Sequence, residues 1–300
     1  MSIRQLRTLI AVRDHGSFSA AAEACFITHA AVSQQMKVLE RDWDIQLFDR
    51  RRRSPQLTSL GKVMVAKAET VVRAYDAIVP SARDAGALQG DIQLGAVPTT
   101  LTGLLPLAVS RLKLRFDAVR VVIQPGLSTQ LLQQIDRGNL DAAVITEPAK
   151  LPREMKSRFI ADEPLHLLAP QQTESDDPFL LLRRHPFIRF DRDAVVGQMI
   201  QAWLLDQNIR VNDSMELEGL EAISSMVAAG LGVSIVPARC VREMNPMPVK
   251  QLPLGPDAPV RRLSLVWRED NPQPRMLDAL ATALETAVSI GAFSPLDNKS

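Results

Sequence analysis

The sequence predicts an N-terminal all-α winged helix-turn-helix, then a linker helix, then an α/β part with two lobes. Three short helix-period apolar stripes fill the first fifty residues, and one long heptad-like stripe follows them. From residue 90 onward, short β-branched runs alternate with helical segments. The 300 residues, 46% hydrophobic and 23% charged, suffice for such an organisation. We expect the three parts to span 1–58, 59–89 and 90–300.

The net charge of +1 hides an asymmetry along the chain. Residues 1–90 carry 13 Lys+Arg and 9 Asp+Glu, a charge of +4, whereas the remainder carries 22 and 25, a charge of −3. A basic front end joined to a mildly acidic body is typical of an interaction module attached to a second domain. The sequence has no secretory-signal pattern and no apolar run of membrane-span length, so we expect a cytoplasmic protein without a membrane partner.

The first three helices are predicted from apolar periodicity and from capping residues. An apolar stripe over 3–12 predicts the first helix, and Gly16 is expected to end it in the left-handed conformation. Ser17 or Ser19 is expected to cap a second, alanine-rich helix, and Thr28 to cap a third that runs to about residue 42.

The third helix has two faces. Val32, Met36 and Leu39, at i, i+4 and i+7, predict an inward seam. The opposite face carries small or hydrogen-bonding side chains, and the helix follows a short turn, as in motifs that place a second helix in the DNA major groove. A solvated polar face is the alternative. The candidate contacts on or beside this face are Thr28, His29, Ala30, Ser33, Gln34 and Lys37.

A basic tip between two short apolar pieces predicts a small hairpin or wing. The tip contains four consecutive arginines, Arg50, Arg51, Arg52 and Arg53. Adjacent guanidinium groups repel one another unless a polyanion is near, and each can neutralise a DNA phosphate. A solvated charge run is the alternative, but the neighbouring helix-turn-helix favours phosphate contacts.

The linker predicts a dimerising helix. Its seam residues are spaced 4, 3, 4 and 3 apart, and a seam this narrow needs a partner helix. Pro80 is expected to end or kink the helix near Val79. The seam consists of Met64, Ala68, Val71, Tyr75 and Ile78.

The α/β part predicts a largely parallel sheet covered on both faces, because strands and helices alternate along it. A second, similar series begins near Glu163. We therefore expect two lobes, about 90–163 plus 266–300 and 164–265, with a ligand cleft between them.

Enzyme signatures are missing from the sequence. It has no GxGxxG, Walker or HExxH motif, and its four histidines are scattered. Cys25 and Cys240 lie in no disulfide or metal-ligand spacing, so we expect no catalysis, no metal and no cofactor. Aromatic residues, at 4%, are too few for single-strand RNA platforms. The alternative is a solute-binding or enzymatic α/β protein whose front end serves only dimerisation.

Six motifs in order resemble the LysR-type transcriptional regulators. The resemblance implies a bacterial homodimer or tetramer that binds double-stranded promoter DNA. It also implies a body like that of type 2 periplasmic solute-binding proteins, with a small-molecule effector between two lobes, and RNA polymerase as a partner if the protein activates. The motifs are GSFSAAA (16–22), AVSQQMKVLE (31–40), QLFDR (46–50), GDIQLG (90–95), GNLDAA (138–143) and MVAAGLGVSIVP (226–237).

The resemblance also implies roles for individual residues. Thr28 is expected to touch the DNA backbone, Ser33 a phosphate, and the arginine run the wing's contacts. This chain has His29-Ala30 and Gln34 where many members have Gln-Pro and Arg. We therefore expect Gln34 to pair with an adenine edge, Ala30 to touch a thymine methyl group, and His29 to add a donor or acceptor.

For the effector, the resemblance points to loops that face the cleft. Hydroxyls, free N–H groups and one candidate cation, Arg189, would suit a small anionic metabolite. The alternative is that these are ordinary loop hydroxyls and that Arg189 pairs with Asp191 or Asp193. The expected effector residues are Pro98, Thr99, Thr100, Ser128, Thr129, Thr146, Arg189 and Phe190. The resulting expectation is a sequence-specific, effector-controlled transcriptional regulator.

Overall fold

The computed structural model of the chain describes residues 1–49, 56–83 and 88–292. The predicted basic tip, Arg50 to Arg53, lies outside the described residues. Those described form two compact units. The first runs from Met1 through the linker helix and includes Asp136–Asn139, and the second contains the other residues from Leu88 onward. No helix in the described ranges is both long and apolar enough to span a membrane.

The first unit contains four helices and a short strand pair among its described residues. They are α1 (Ile3–His15), α2 (Phe18–Ala24), α3 (His29–Trp43), β1 (Phe48–Asp49), β2 (Gln56–Leu57) and α4 (Ser59–Arg83), with β1 and β2 antiparallel. The predicted caps are confirmed. Gly16, with φ of 69°, ends α1, and the hydroxyl of Ser17 accepts from the Ala20 N–H at the start of α2.

The core of the first unit lies between α1, α2, α3 and α4. The predicted inward seam of α3, Val32, Met36 and Leu39, is fully buried. α4 packs on α1 through buried residues that include Val65 and Ala68. α4 also continues through Pro80 to Arg83, so the helix does not end near residue 79, which was one of the two outcomes expected of Pro80; a 25-residue helix tolerates the single hydrogen bond that proline removes.

The second unit alternates strands and helices. Its elements begin with β3 (Gly90–Ala96), a 3-10 turn (Pro98–Thr100), α5 (Leu104–Arg115), β4 (Val119–Pro125), α6 (Ser128–Asp136) and β5 (Ala142–Thr146). They continue with β6 (Met155–Pro170), α7 (Pro178–Arg184), β7 (Pro186–Phe190), α8 (Val195–Asp206), β8 (Asn212–Leu217) and α9 (Leu220–Ala228). The last are β9 (Ser234–Pro237), β10 (Val249–Pro253), β11 (Val260–Arg268) and α10 (Pro274–Ile290).

The main sheet is mixed rather than largely parallel. Among the described residues, seven strands form one sheet in the order β10-β6-β11-β5-β3-β4, with β9 also paired to β6. β3 is parallel to β4 and β5, whereas β6, β9, β10 and β11 make antiparallel pairs. The prediction of a largely parallel sheet is therefore wrong. The connection from β5 to β6 has no helix, so β6 is not constrained to the direction that a helical crossover imposes.

Two hydrophobic cores divide the second unit into lobes. Ile160 of β6 belongs to the first core, together with α5 and α10, whereas Leu165 of the same strand belongs to the second core, together with α8 and α9. The 16-residue strand β6 therefore runs from one lobe into the other. The expected lobe boundaries, after residue 163 and before residue 266, fall inside β6 and β11.

Candidate functional site

The exposed edge of α3 presents the side chains that periodicity placed there. Thr28 caps the helix, because its hydroxyl accepts from the Ala31 N–H at 3.2 Å. The ring of His29 lies 6.1 Å from that of Phe18, which fixes its position beside α2. Thr28, His29, Ala30, Gln34 and Lys37 are exposed, and Ser33 is half-buried. The edge thus combines hydrogen-bonding groups, one positive charge and small side chains.

The hairpin of β1 and β2 is held firmly against α3 and α4. The Oε1 atom of Glu40 on α3 accepts from the N–H groups of Leu47 and Phe48 at 3.0 and 3.1 Å. A Cβ atom at Gly61 would lie 2.3 Å from the Leu47 carbonyl oxygen, so only glycine allows this approach of α4. The base of the predicted wing is therefore rigid.

α4 leaves an apolar stripe uncovered within its own unit. Leu60, Val63, Val71 and Tyr75 are each about half exposed or more. Ala68 belonged to the predicted partner seam, but it is buried against α1, so the structure removes it from that surface. The uncovered apolar stripe therefore differs from the predicted seam, because it includes Leu60 and Val63 and excludes Ala68. Met64 packs partly against the core, and the side chain of Ile78 lies outside those described.

A cleft lies between the two lobes and contains about 440 Å³ of empty space, part of which is open to solvent. The cleft is lined by residues from the turn after β3, from the ends of β5 and β7, and from the starts of α6 and α8. The two residues before α9 and one residue of β11 complete the lining. Of the residues expected at the effector site, Pro98, Thr99, Ser128, Thr146 and Phe190 line it. Its other lining residues are Val97, Leu127, Asp191, Ala194, Val195, Val196, Glu218, Gly219 and Arg261.

Arg189 does not line the cleft. Its guanidinium donates to both carboxylate oxygens of Asp213 at 2.8 to 3.0 Å and to the amide oxygen of Gln201 at 2.8 Å. The structure pairs Arg189 with Asp213 and Gln201, which argues against Arg189 as the effector's cation, and neither Asp191 nor Asp193 is its partner. Asp213 lies on the adjacent strand β8, a pairing that the sequence did not reveal.

Two further predicted effector residues, Thr100 and Thr129, are not among the residues that line the cleft. The Thr100 hydroxyl donates to the Val97 carbonyl oxygen at 2.8 Å, so it serves the 3-10 turn. Thr129 is exposed on α6.

Arg261 is a buried cation in the cleft lining that the sequence interpretation missed. It is 1% exposed, and its Nε and Nη2 donate to Oε2 of Glu163 at 2.8 and 2.5 Å, while its Nη1 donates to the Thr99 hydroxyl at 2.8 Å. The other oxygen of Glu163 accepts from the Cys240 N–H at 2.7 Å. Arg261 lies two positions before the buried Leu263 on β11 and therefore on the same face of the strand, so the two-residue period is the signal that indicates a buried arginine.

Unpaired polar groups gather beside Arg261. Ser128 and Thr146 are buried residues that line the cleft, and within the described part of the chain neither hydroxyl has a hydrogen-bond partner. The first-turn N–H groups of Val195 and Val196 at the start of α8 likewise have none there. These hydroxyl and N–H groups border the cleft, so they are available to hydrogen-bond to water or to another molecule within it.

A polar contact joins the two lobes near the cleft. The Thr102 hydroxyl, before α5, donates to Oε1 of Glu221 at 2.6 Å, in the first turn of α9. Arg239 forms ion pairs with Glu221 and Glu243. Burial raises the pKa of Glu221, but the Thr102 hydrogen bond and the Arg239 charge outweigh it, so that pKa lies below its ordinary value.

The thiol of Cys240 is held in its protonated form. Burial raises its pKa well above the ordinary value, and the negative charge of Glu163 raises it further. Because the thiolate is the reactive species, Cys240 is a poor nucleophile here.

Two family profiles match the chain over nearly its whole length. One, described as a bacterial regulatory helix-turn-helix protein of the lysR family, matches residues 3–62. The other, described as a LysR substrate binding domain, matches residues 85–289. The second covers more than half of the 300 residues.

Individual relatives match end to end. A hydrogen peroxide-inducible genes activator of Haemophilus influenzae is 26% identical over 293 residues, which cover 96% of this chain and 97% of the relative. The structure of a full-length OxyR variant from Pseudomonas aeruginosa has a TM-score of 0.72 at 24% identity, with 95% and 98% coverage. CbnR complexed with its target DNA has a TM-score of 0.68 at 20% identity, with 96% and 100% coverage. The two structures support the fold.

Proposed function

Because this chain belongs to the LysR family of bacterial transcriptional regulators, we propose that it reads promoter DNA with the exposed edge of α3 and senses a small molecule in the interlobe cleft. It is a DNA-binding regulator with an effector-binding domain, and it is not an enzyme. The observation that carries the sensing proposal is Arg261, a buried cation that borders unpaired donors in a cleft between two lobes.

The proposed DNA interface uses Gln34 for a base edge and Thr28, Ser33 and Lys37 for the backbone and its phosphates. An amide side chain can pair bidentately with adenine in the major groove, whereas lysine neutralises a phosphate. The arginines of the wing tip would add phosphate contacts, as the sequence predicts. Binding is therefore expected to weaken steeply as salt increases.

A titration of full-length protein on the DNA upstream of its own gene tests this interface. Gln34→Ala is expected to weaken binding by about tenfold or more and to relax one base preference. Lys37→Ala is expected to weaken binding to all sequences alike and to reduce the salt dependence. Gln198→Ala, at an exposed glutamine of α8, is the matched control. Equal binding by the Gln34 and Gln198 variants would contradict the proposed interface.

We assign the uncovered stripe of α4 to a second copy of the chain. Apolar side chains at Leu60, Val63, Val71 and Tyr75 would be covered by the same helix of a partner, giving a homodimer or a tetramer built from dimers. Two copies double the basic surface offered to one operator. Val71→Glu is expected to shift the protein toward monomer in sedimentation experiments and to weaken DNA binding.

The proposed effector is a small molecule with an apolar body and one carboxylate or similar anionic end. Arg261, the Ser128 and Thr146 hydroxyls and the N–H groups that begin α8 suit the anionic end. Pro98, Leu127 and Phe190 suit the apolar body. Glu163 neutralises much of the Arg261 charge, and Asp191 and Glu218 border the cleft, so we expect one negative charge on the effector rather than several.

A thiol-based response to peroxide is not part of this proposal, although several relatives are named for peroxide. The raised pKa of Cys240 disfavours the thiolate that such chemistry needs, and Cys25 belongs to the other unit. Hydrogen peroxide treatment and Cys240→Ser are both expected to leave DNA affinity unchanged. A change in affinity that peroxide causes and Cys240→Ser abolishes would reverse this conclusion.

The remaining partners follow from the family. We propose that the protein acts in the cytoplasm, where promoter DNA lies, and that it contacts RNA polymerase if it activates transcription.

A further inference from the structure

Phe26 combines two unfavourable features in the turn between α2 and α3. Its side chain is 96% exposed, and its φ of 54° lies in the left-handed region that disfavours residues other than glycine and asparagine. The backbone of the turn is fixed independently of the ring: the Phe26 N–H donates to the Glu23 carbonyl and the Ile27 N–H to the Ala22 carbonyl.

The folded unit itself gives no reason for a phenylalanine at this position. Among the described residues, none of the core packs against the ring, and glycine or asparagine would adopt this backbone conformation with less strain. An exposed aromatic ring on a strained backbone favours a contact with another molecule.

The neighbours of Phe26 identify that molecule. Two residues further along the chain, Thr28, His29 and Ala30 begin the exposed edge of α3 that we assign to DNA. A duplex that lies on this edge also meets the preceding turn. Because the phenyl ring has no hydrogen-bonding group, its partner on DNA is an apolar surface, either a thymine methyl group or a deoxyribose.

We infer that Phe26 is an additional DNA-contacting residue, whose ring packs on a thymine methyl group or a deoxyribose at the edge of each half-site. This inference rests on the proposed DNA interface. The turn between α2 and α3 would then contribute to DNA affinity in addition to the residues on the exposed edge of α3.

The test separates stability from binding, using full-length protein and duplexes that the wild type selects from a random-sequence library. Phe26→Asn relieves the strained backbone, so its melting temperature is expected to stay equal or rise by about 2–5 °C. Its affinity for the selected duplex is expected to fall by about tenfold. Phe26→Leu keeps an apolar side chain and is expected to retain most of the affinity. Leu205→Gln, at an exposed leucine of α8, controls for loss of surface apolarity.

Replacing each thymine by uracil in turn distinguishes the two DNA surfaces. A methyl contact is indicated if one replacement weakens the wild type and has no further effect on Phe26→Asn. A deoxyribose contact is indicated if no replacement matters while Phe26→Asn still binds weakly. Unchanged binding by Phe26→Asn overturns the inference. Failure of the wild type to select any sequence overturns the proposed DNA interface instead.

Discussion

Arg189 and Arg261 are buried cations of the same unit with contrasting surroundings. Arg189, 5% exposed, donates its hydrogen bonds to Asp213 and Gln201, and its partner Asp213 is partly exposed to solvent. Arg261, 1% exposed, is held by Glu163 and Thr99 but borders a cleft with unpaired hydroxyl and N–H groups. Burial and charge are common to both residues. What distinguishes a ligand site is the set of unpaired donors beside the cation.

The largest expected loss of stability comes from replacing Arg261, the cation of the cleft. Arg261→Met leaves the Glu163 carboxylate buried with one backbone partner, which is expected to cost about 3–5 kcal/mol of unfolding free energy. Thermal or urea unfolding of the full chain measures this loss. Arg189→Met is expected to cost less, because its partner Asp213 is partly exposed and can be hydrated.

A double variant separates stability from ligand binding. Arg261→Met with Glu163→Gln removes both charges and is expected to recover much of the stability while binding no anionic effector. Arg189→Met is expected to bind effector normally. If Arg189→Met loses effector binding and the double variant retains it, the two arginines have been assigned the wrong roles.

The next largest expected change in the free energy of unfolding concerns His166. This residue has unpaired ring nitrogens but does not line the cleft. Both ring nitrogens are buried without a partner in the described chain, and burial lowers the pKa to about 4 from 6.5, with Glu163 opposing the shift. The neutral ring is favoured in the folded state. Stability is therefore complete above pH 6.5 and is lost as pH falls toward 4, by about 3 kcal/mol.

His166→Leu compares the cleft with a buried group elsewhere in the unit. The ring nitrogens of His166 are unpaired, but we do not assign them to ligand binding. The variant is expected to unfold with a smaller pH dependence between 6.5 and 4 and to bind effector as the wild type does. Unfolding free energies measured at several pH values check the first expectation. An unaltered acid sensitivity would show that other groups dominate in this range.

A smaller effect, with opposite signs at two threonines, tests the unpaired hydroxyls. Thr146→Val replaces a cleft-facing hydroxyl without a partner in the described chain by a methyl group on a buried residue, so stability is expected to rise by up to about 1 kcal/mol and effector affinity to fall about fivefold. Thr100→Val removes a hydroxyl that is bonded to a carbonyl, so stability is expected to fall by about 1 kcal/mol with effector affinity unchanged. Equal behaviour of the two variants would contradict the distinction between paired and unpaired groups.

The smallest effect is expected at the contact between the lobes. Thr102→Val removes a hydrogen bond to the partly exposed Glu221, so stability is expected to change by less than about 1 kcal/mol. Hydrogen exchange in the first turn of α9 is expected to increase, because the Thr102 hydroxyl no longer anchors Glu221. Thr282→Val, at an exposed threonine of α10, is the control. Slower hydrogen exchange in α9 than in the wild type would contradict a stabilising contact between the lobes through Thr102 and Glu221.

The sequence predicted those features whose determinants lie close together along the chain. The caps at Gly16, Ser17 and Thr28 and the buried seam of α3 depend on residues within a few positions of one another. The cleft draws its lining from separate segments, and Arg261 bonds to Glu163, 98 positions away. Asp213, 24 positions from Arg189, was equally hidden. Strand direction also escaped prediction, since apolar runs are alike in parallel and antiparallel strands.

The partner surface of α4 shows an intermediate case. The heptad period indicated an apolar helix face correctly, but two faces of α4 are apolar, one toward α1 and one uncovered. Ala68 lies on the first and Tyr75 on the second. Periodicity alone could not separate them, because the position of α1 is a tertiary feature.

A melting-temperature screen of the full-length protein against small metabolites tests the central claim most directly. We expect small monocarboxylates with an apolar body to raise the melting temperature of the wild type and of Arg189→Met. The same compounds are expected to leave the Arg261→Met, Glu163→Gln variant unchanged and to alter the DNA affinity of the wild type. Compounds that stabilise the double variant as strongly as the wild type would contradict the assignment of Arg261 and its cleft as the effector site.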